Sequence, residues 1–123
     1  MNIIQTSNAP QAIGPYSQAV AYNGLIFTSG QIALDSQNVM NNGDIRAQTT
    51  QVLENLKAIL ESSGSSLQKV LKTTIFLVDM NDFNALNEVY ASFFGAHKPA
   101  RSTIAVKTLP KNALVEIECI AMA

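Results

Sequence analysis

Val70-Leu71-Lys72-Thr73-Thr74-Ile75-Phe76-Leu77-Val78 is the stretch on which the fold turns. Its β-branched and aromatic residues favour a pleated strand over a helix, and its apolar side chains fall on both alternating sets of positions. It reads as a long central strand with both faces packed against something. Just upstream, Gly64-Ser65-Ser66 closes a run in which Ile45, Val52, Leu53, Leu56, Ile59 and Leu60 recur at helical spacing. Asp44 or a neighbour stands where its first turn needs a cap, and Gly64 where its C-terminus needs one. Downstream, a second helix from about Asp82 to Phe94 gathers Phe83, Leu86, Val89, Tyr90 and Phe93 on one face and stops at Gly95.

Further out, the runs Ser17 to Val20 and Leu25 to Ser29 flank Tyr22-Asn23-Gly24, and Asn-Gly supplies the positive φ angles of a tight hairpin turn. The segment before them carries Asn8-Ala9-Pro10 and Gly14-Pro15, turn-forming pairs that make it a loop over the body after one short strand at Ile3 and Ile4. Two last strands, Ser102 to Val106 and Leu114 to Met122, are joined by a turn at Leu109-Pro110-Lys111-Asn112. The sum is an α+β chain: a mixed β-sheet with two helices packed on one face, one domain over residues 1–123. The other face is also apolar, at alternate positions of residues 70–78 and 102–106, and another copy of the chain is the economical cover.

Composition points the same way. The chain is 47% hydrophobic and only 14% charged, against about 25% charged in an average domain, which excludes a disordered chain and leaves little charge to coat a surface. A homo-oligomer is expected. With 8 basic and 9 acidic residues the formal net charge is −1, so the positive field that holds nucleic acid or an anionic membrane is missing. One cysteine, Cys119, and one histidine, His97, exclude an internal disulfide, a multi-histidine metal site and a Cys-x-x-Cys zinc cluster. No basic, apolar leader opens the sequence and no apolar run reaches a membrane span, so a cytoplasmic protein is expected.

Few residues offer chemistry. Arg101 follows Pro99-Ala100 and opens a strand, where its planar fork could grip a carboxylate with two parallel hydrogen bonds; an ordinary solvated arginine is the competing reading. Glu116 and Glu118 alternate with Val115, Ile117 and Cys119, so both carboxylates leave one face of the strand while the apolar set meets the helices. Such a carboxylate under a neighbouring subunit needs a partner or a substrate, and a solvated face or an intersubunit ion pair is the alternative. Tyr16, set by Pro15, could present a proton donor or simply half-bury in a subunit contact. Thr28-Ser29-Gly30-Gln31 ends a strand with a glycine that admits close backbone approach, yet lacks the spacing of phosphate loops. Cys119 reads as a buried inert thiol and His97 as part of a surface loop.

Ala12-Ile13-Gly14-Pro15-Tyr16-Ser17-Gln18-Ala19, Phe27-Thr28-Ser29-Gly30-Gln31, Lys72-Thr73-Thr74-Ile75-Phe76, Met80-Asn81-Asp82-Phe83, Asn87-Glu88-Val89-Tyr90, Pro99-Ala100-Arg101-Ser102 and Val115-Glu116-Ile117-Glu118, in this order and spacing, resemble the reactive intermediate deaminase A (RidA) family over nearly the whole chain. The resemblance implies a fold like that of the bacillus-type chorismate mutase, a homotrimer with three sites in the clefts between subunits, and no cofactor. It implies hydrolysis of enamines and imines such as 2-aminoacrylate and 2-aminocrotonate, released by pyridoxal-phosphate-dependent dehydratases, to 2-keto acids and ammonia. By the same resemblance Arg101 binds the substrate carboxylate, Glu116 positions water and Tyr16 lines the cleft. Ser29, Gly30 and Asn87 match further cleft positions, and Thr103 stands where many bacterial members have cysteine and where the family's contact is largely through the main-chain amide. The rival readings are a 2-keto acid sensor without turnover, an endoribonuclease or translation inhibitor, and a holdase-like chaperone. The near-neutral charge and the absence of an aromatic-basic stripe weigh against RNA.

Overall fold

The computed structural model describes residues 1–123 and orders them as β1 (Asn2–Ile4), β2 (Ala19–Tyr22), β3 (Leu25–Thr28), α1 (Ile45–Ser62), β4 (Val70–Leu77), α2 (Phe83–Phe94), β5 (Ala100–Ala105) and β6 (Val115–Met122). Both helices end as their sequences dictate. The Asp44 side chain accepts from the Ala47 amide at 2.9 Å at the head of α1, and Gly64, at φ 86°, takes the left-handed turn after it. Gly95, at φ 60°, does the same for α2. In the hairpin Asn23 and Gly24 both carry positive φ, 53° and 77°, which matches the twist of the flanking strands.

The six strands form one sheet in the order β1-β2-β3-β6-β4-β5. β6 lies antiparallel to both β3 and β4, with Ile117 opposite Ile75, and β5 runs parallel to β4, with Arg101 opposite Thr73. The last two strands therefore do not pair across the turn that joins them: β4 lies between them. The route from β4 to β5 passes over one face as α2, because a parallel pair needs a long crossover.

Strand limits differ from the sequence reading by a residue or two, and by two only in β2 and β5. β2 starts at Ala19 and takes in Tyr22, because the Ser17 and Gln18 carbonyls are occupied by the Ser29 side chain and amide at 2.6 and 2.9 Å. β5 starts at Ala100 instead of Ser102, since pairing with Lys72 extends it to the residue after Pro99. His97 is also held more firmly than a surface-loop residue: its Nε2 lies 2.7 Å from the Val70 carbonyl oxygen.

Alternation divides β6 cleanly. Val115, Ile117, Cys119 and Ala121 are buried under the helices, against Val52, Leu53, Leu56, Ile59 and Leu60 of α1 and Leu86, Tyr90 and Phe94 of α2. The opposite face has no helix. One register row across it runs Ile3, Val20, Phe27, Ile120, Lys72 and Ala100. Phe27 and Met122 remain 40% and 45% exposed and Ile104 on the edge strand 48%, but β4 and β5 also set Lys72, Thr74 and Ser102 on this face, so the second face is less apolar than the sequence reading expects and is covered by no element of the chain. No helix is long and apolar enough to cross a membrane.

Candidate functional site

The first cluster is built around Glu116. Gln18 is buried and ties the opening segment down: its Nε2 donates to the Pro10 and Thr6 carbonyls at 2.7 and 3.0 Å, and its Oε1 accepts from the Thr6 amide at 2.7 Å. This holds Tyr16 at the mouth of a cleft of about 630 Å³ that Ser29, Gly30 and Glu116 also line. After β3, Gln31 exchanges both backbone hydrogen bonds with Ile117, at 2.9 and 3.1 Å, which presses Gly30 against β6. A methyl group at Gly30 would collide with the Glu116 carboxylate, so glycine here answers to a close approach and not to backbone conformation. Asn55 of α1 supports the following turn from below, its Nδ2 donating to the Leu34 carbonyl at 2.7 Å.

Glu116 is half-buried and its carboxylate makes no hydrogen bond or ion pair within the chain. Burial pushes its pKa up from the ordinary carboxylate value, and the neighbouring negative charge of Glu118 pushes in the same direction. Lys111 also lines the cleft. It sits in the left-handed region at φ 56°, an uncommon conformation for a lysine, signalled only by its place between Pro110 and Asn112.

The second cluster is built around Arg101, and it lies on the other side of the sheet. Arg101 pairs with Thr73, which pairs with Cys119, and ladder partners point to the same face, here the helix-covered one. Its Nη1 donates to Asn87 Oδ1 at 2.9 Å, and its guanidinium carbon lies 4.9 Å from the centre of the Tyr90 ring and 5.5 Å from that of Phe83. Arg101 forms no ion pair; the chain's one salt bridge joins Arg46 to Glu88. Thr103, two residues on, is half-buried and its hydroxyl is buried without a partner. The Val106 amide donates to the Leu77 carbonyl at 2.7 Å, so by the period of two the Thr103 amide points to the free edge of β5.

The structure thus brings together Tyr16, Ser29, Gly30 and Glu116 in one cluster and Arg101 and Asn87 in another, with Thr103 beside the second. Within one chain the two sets face away from each other. Cys119 is buried, its thiol pushed up to about 11 by desolvation, as an inert packing thiol should be. No group of three or more His, Cys, Asp or Glu side chains is placed to hold a metal ion.

A mixed sheet with helices on one face, an unpaired carboxylate in a cleft and an arginine fork at the sheet edge define an α+β protein with two separate polar clusters. The model of the family described as Endoribonuclease L-PSP matches residues 6–123, and the chain belongs to this family. It is 54% identical over 120 residues to the RutC family protein PH0854 of Pyrococcus horikoshii, covering 97% of this chain and 95% of that protein. It is 46% identical over 122 residues to the 2-iminobutanoate/2-iminopropanoate deaminase of Salmonella typhimurium, covering 97% and 95%. The structure of E. coli TdcF with bound serine superposes with a TM-score of 0.95 at 43% identity, over 100% of this chain and 99% of the other. The RidA-type resemblance and the α+β fold read from the sequence both hold.

Proposed function

We propose that the protein hydrolyses 2-enamine and 2-imine acids to 2-keto acids and ammonia, without a cofactor, at sites formed between copies of the chain in a homotrimer. The observation that carries this reading is the Glu116 carboxylate: desolvated, unbonded, its pKa raised, and open to a cleft. A relative named for the 2-imino acid reaction and another seen with serine, itself a small amino carboxylate, support the substrate class.

A small imino acid needs a cation and a base within a few ångströms of each other, and one chain holds Arg101 and Glu116 on opposite faces of its sheet. A second copy seated on the uncovered face would bring its edge strand, and the Arg101 on it, toward the first copy's Glu116. There Arg101 would take the substrate carboxylate with donors left free by Asn87, fixing the C=N carbon. Glu116 would orient a water and accept its proton as the oxygen bonds to that carbon and the C=N π pair passes to nitrogen. An enamine reaches the imine by moving its N–H proton to the β-carbon. After addition the nitrogen takes one proton from Glu116, Tyr16 or solvent to give the carbinolamine; on collapse the hydroxyl proton passes through Glu116 to nitrogen, the oxygen becomes the keto oxygen, and the C–N bond breaks to release ammonia.

The test is ammonia and pyruvate release from 2-aminoacrylate generated in situ by a dehydratase. Acceleration by the intact protein, lost in both Arg101→Ala and Glu116→Ala, is the expected result. Binding of 2-keto acids with no acceleration would replace the enzyme by a sensor.

A further inference from the structure

Phe83, Asn87 and Tyr90 occur at i, i+4 and i+7 on α2, one stripe of one helix. All three touch the same guanidinium. An arginine on an exposed edge strand ordinarily spreads over many rotamers, and every one it must abandon on binding weakens the complex. Here the fork lies between two aromatic rings and is tied by one nitrogen to an amide oxygen. The nearer ring is itself immobilised. Tyr90 is 9% exposed, stacks on Phe94 with centroids 4.5 Å apart, and has its hydroxyl 2.8 Å from Thr73 Oγ1. Thr73 is the ladder partner of Arg101, so the backbone of the arginine and the platform beneath its side chain are referred to one residue of β4.

The three side chains of this stripe are neutral, and Lys98, which lines the same pocket, is a cation, so no anion competes for the fork. An acidic residue at position 87 would hold the fork as firmly but would cancel its charge and compete with an incoming carboxylate. Asparagine and two ring faces fix the geometry while leaving the positive charge and the remaining donors free. We infer that the α2 stripe is a neutral cradle that pre-orients Arg101 for a substrate carboxylate, and that Tyr90 is the positioning residue on which this depends. The ligand side of the inference rests on the deaminase reading above; the ordering of Arg101 does not.

The chain has two arginines, Arg46 and Arg101, so side-chain Nε relaxation by NMR on the native assembled protein reads each one separately, with Arg46 as internal control. In the wild type the Arg101 Nε is ordered. Tyr90→Leu releases it while Arg46 stays as it was, and Tyr90→Phe, which keeps the ring face, restores the order. Titration with 2-oxobutanoate gives the consequence: Tyr90→Leu weakens binding about tenfold, the scale of a partly desolvated cation–ring contact, and Tyr90→Phe stays within about threefold of wild type. Asn87→Asp weakens binding more than Asn87→Ala, an order that a merely structural role for position 87 would not produce. Unchanged Arg101 order in folded Tyr90→Leu, or equal effects of the two Asn87 variants in a protein that binds 2-oxobutanoate, overturns the inference. If the wild type binds no 2-oxobutanoate while Tyr90→Leu still frees Arg101, the deaminase reading fails and the positioning of Arg101 stands.

Discussion

The Arg101 guanidinium lies between two rings with a nitrogen on an amide, whereas the Glu116 carboxylate lies over bare glycine backbone with nothing bonded to it. One helix face holds the first by contacts that leave its charge intact. The second is held by its strand alone and kept in partial desolvation, which raises its affinity for a proton. The difference separates two tasks. A group that binds must be rigid before its ligand arrives, and a group that moves a proton must have no permanent partner for it.

Five experiments sharpen or break this contrast. The largest effect is expected from Arg101→Ala, a loss of about 10²–10³ in kcat/KM in steady-state turnover of 2-aminoacrylate, since a bidentate charged anchor and its orientation both go. That variant should also unfold somewhat more easily, by about 1 kcal/mol, because its contacts with two rings and an amide go. If the two clusters meet only between copies, co-refolding Arg101→Ala with Glu116→Gln in equal amounts restores about a quarter of wild-type activity, the fraction of random neighbour pairs in which each copy contributes its intact half. No recovery, in a mixture that demonstrably exchanges subunits, would place both groups of a working site on one chain.

Gly30→Ala comes next. Its methyl group meets Glu116, so the carboxylate must turn away, and kcat should fall about 10- to 100-fold with KM little changed. The smallest effect concerns pH. Glu118 raises the Glu116 pKa by repulsion, so Glu118→Gln lowers it, and the acid limb of the kcat/KM profile moves to lower pH. In stability the sign is reversed. A carboxyl whose pKa is raised on folding favours the native state when protonated, and that contribution is lost as pH climbs from the unfolded-state value through the raised one. Glu116→Gln is therefore expected to melt slightly higher than wild type at neutral pH while inactive, in calorimetry at pH 7 against pH 4.

Much of this was legible beforehand, for reasons that differ by residue. Asp44, Gly64, Asn23-Gly24 and the alternation of Val115 to Cys119 are local signals, each fixed by its neighbours in sequence. Tyr16, Ser29, Gly30, Asn87, Arg101, Thr103 and Glu116 could be singled out, yet not sorted into two clusters, because which strand lies beside which is a long-range choice. The parallel pairing of β4 with β5 and the insertion of β6 between β3 and β4 leave no local trace. The cradle was half-visible: Phe83 and Tyr90 were read as an apolar helix face, and only the ladder pairing of Thr73 with Arg101 reveals that a cation rests on part of it. The buried amides of Gln18 and Asn55 were missed for a similar reason, their partners being backbone carbonyls of loops whose course the sequence does not announce.

The central position of β6 bears on how the molecule is made. Synthesis delivers residues 115–122 after every other strand, and until they leave the ribosome β3 and β4 each present a bare edge with no strand to join them. The sheet cannot close during translation of the earlier residues; it waits for its keystone. That same strand carries Glu116, so the nascent chain acquires its candidate base in the step that completes its sheet.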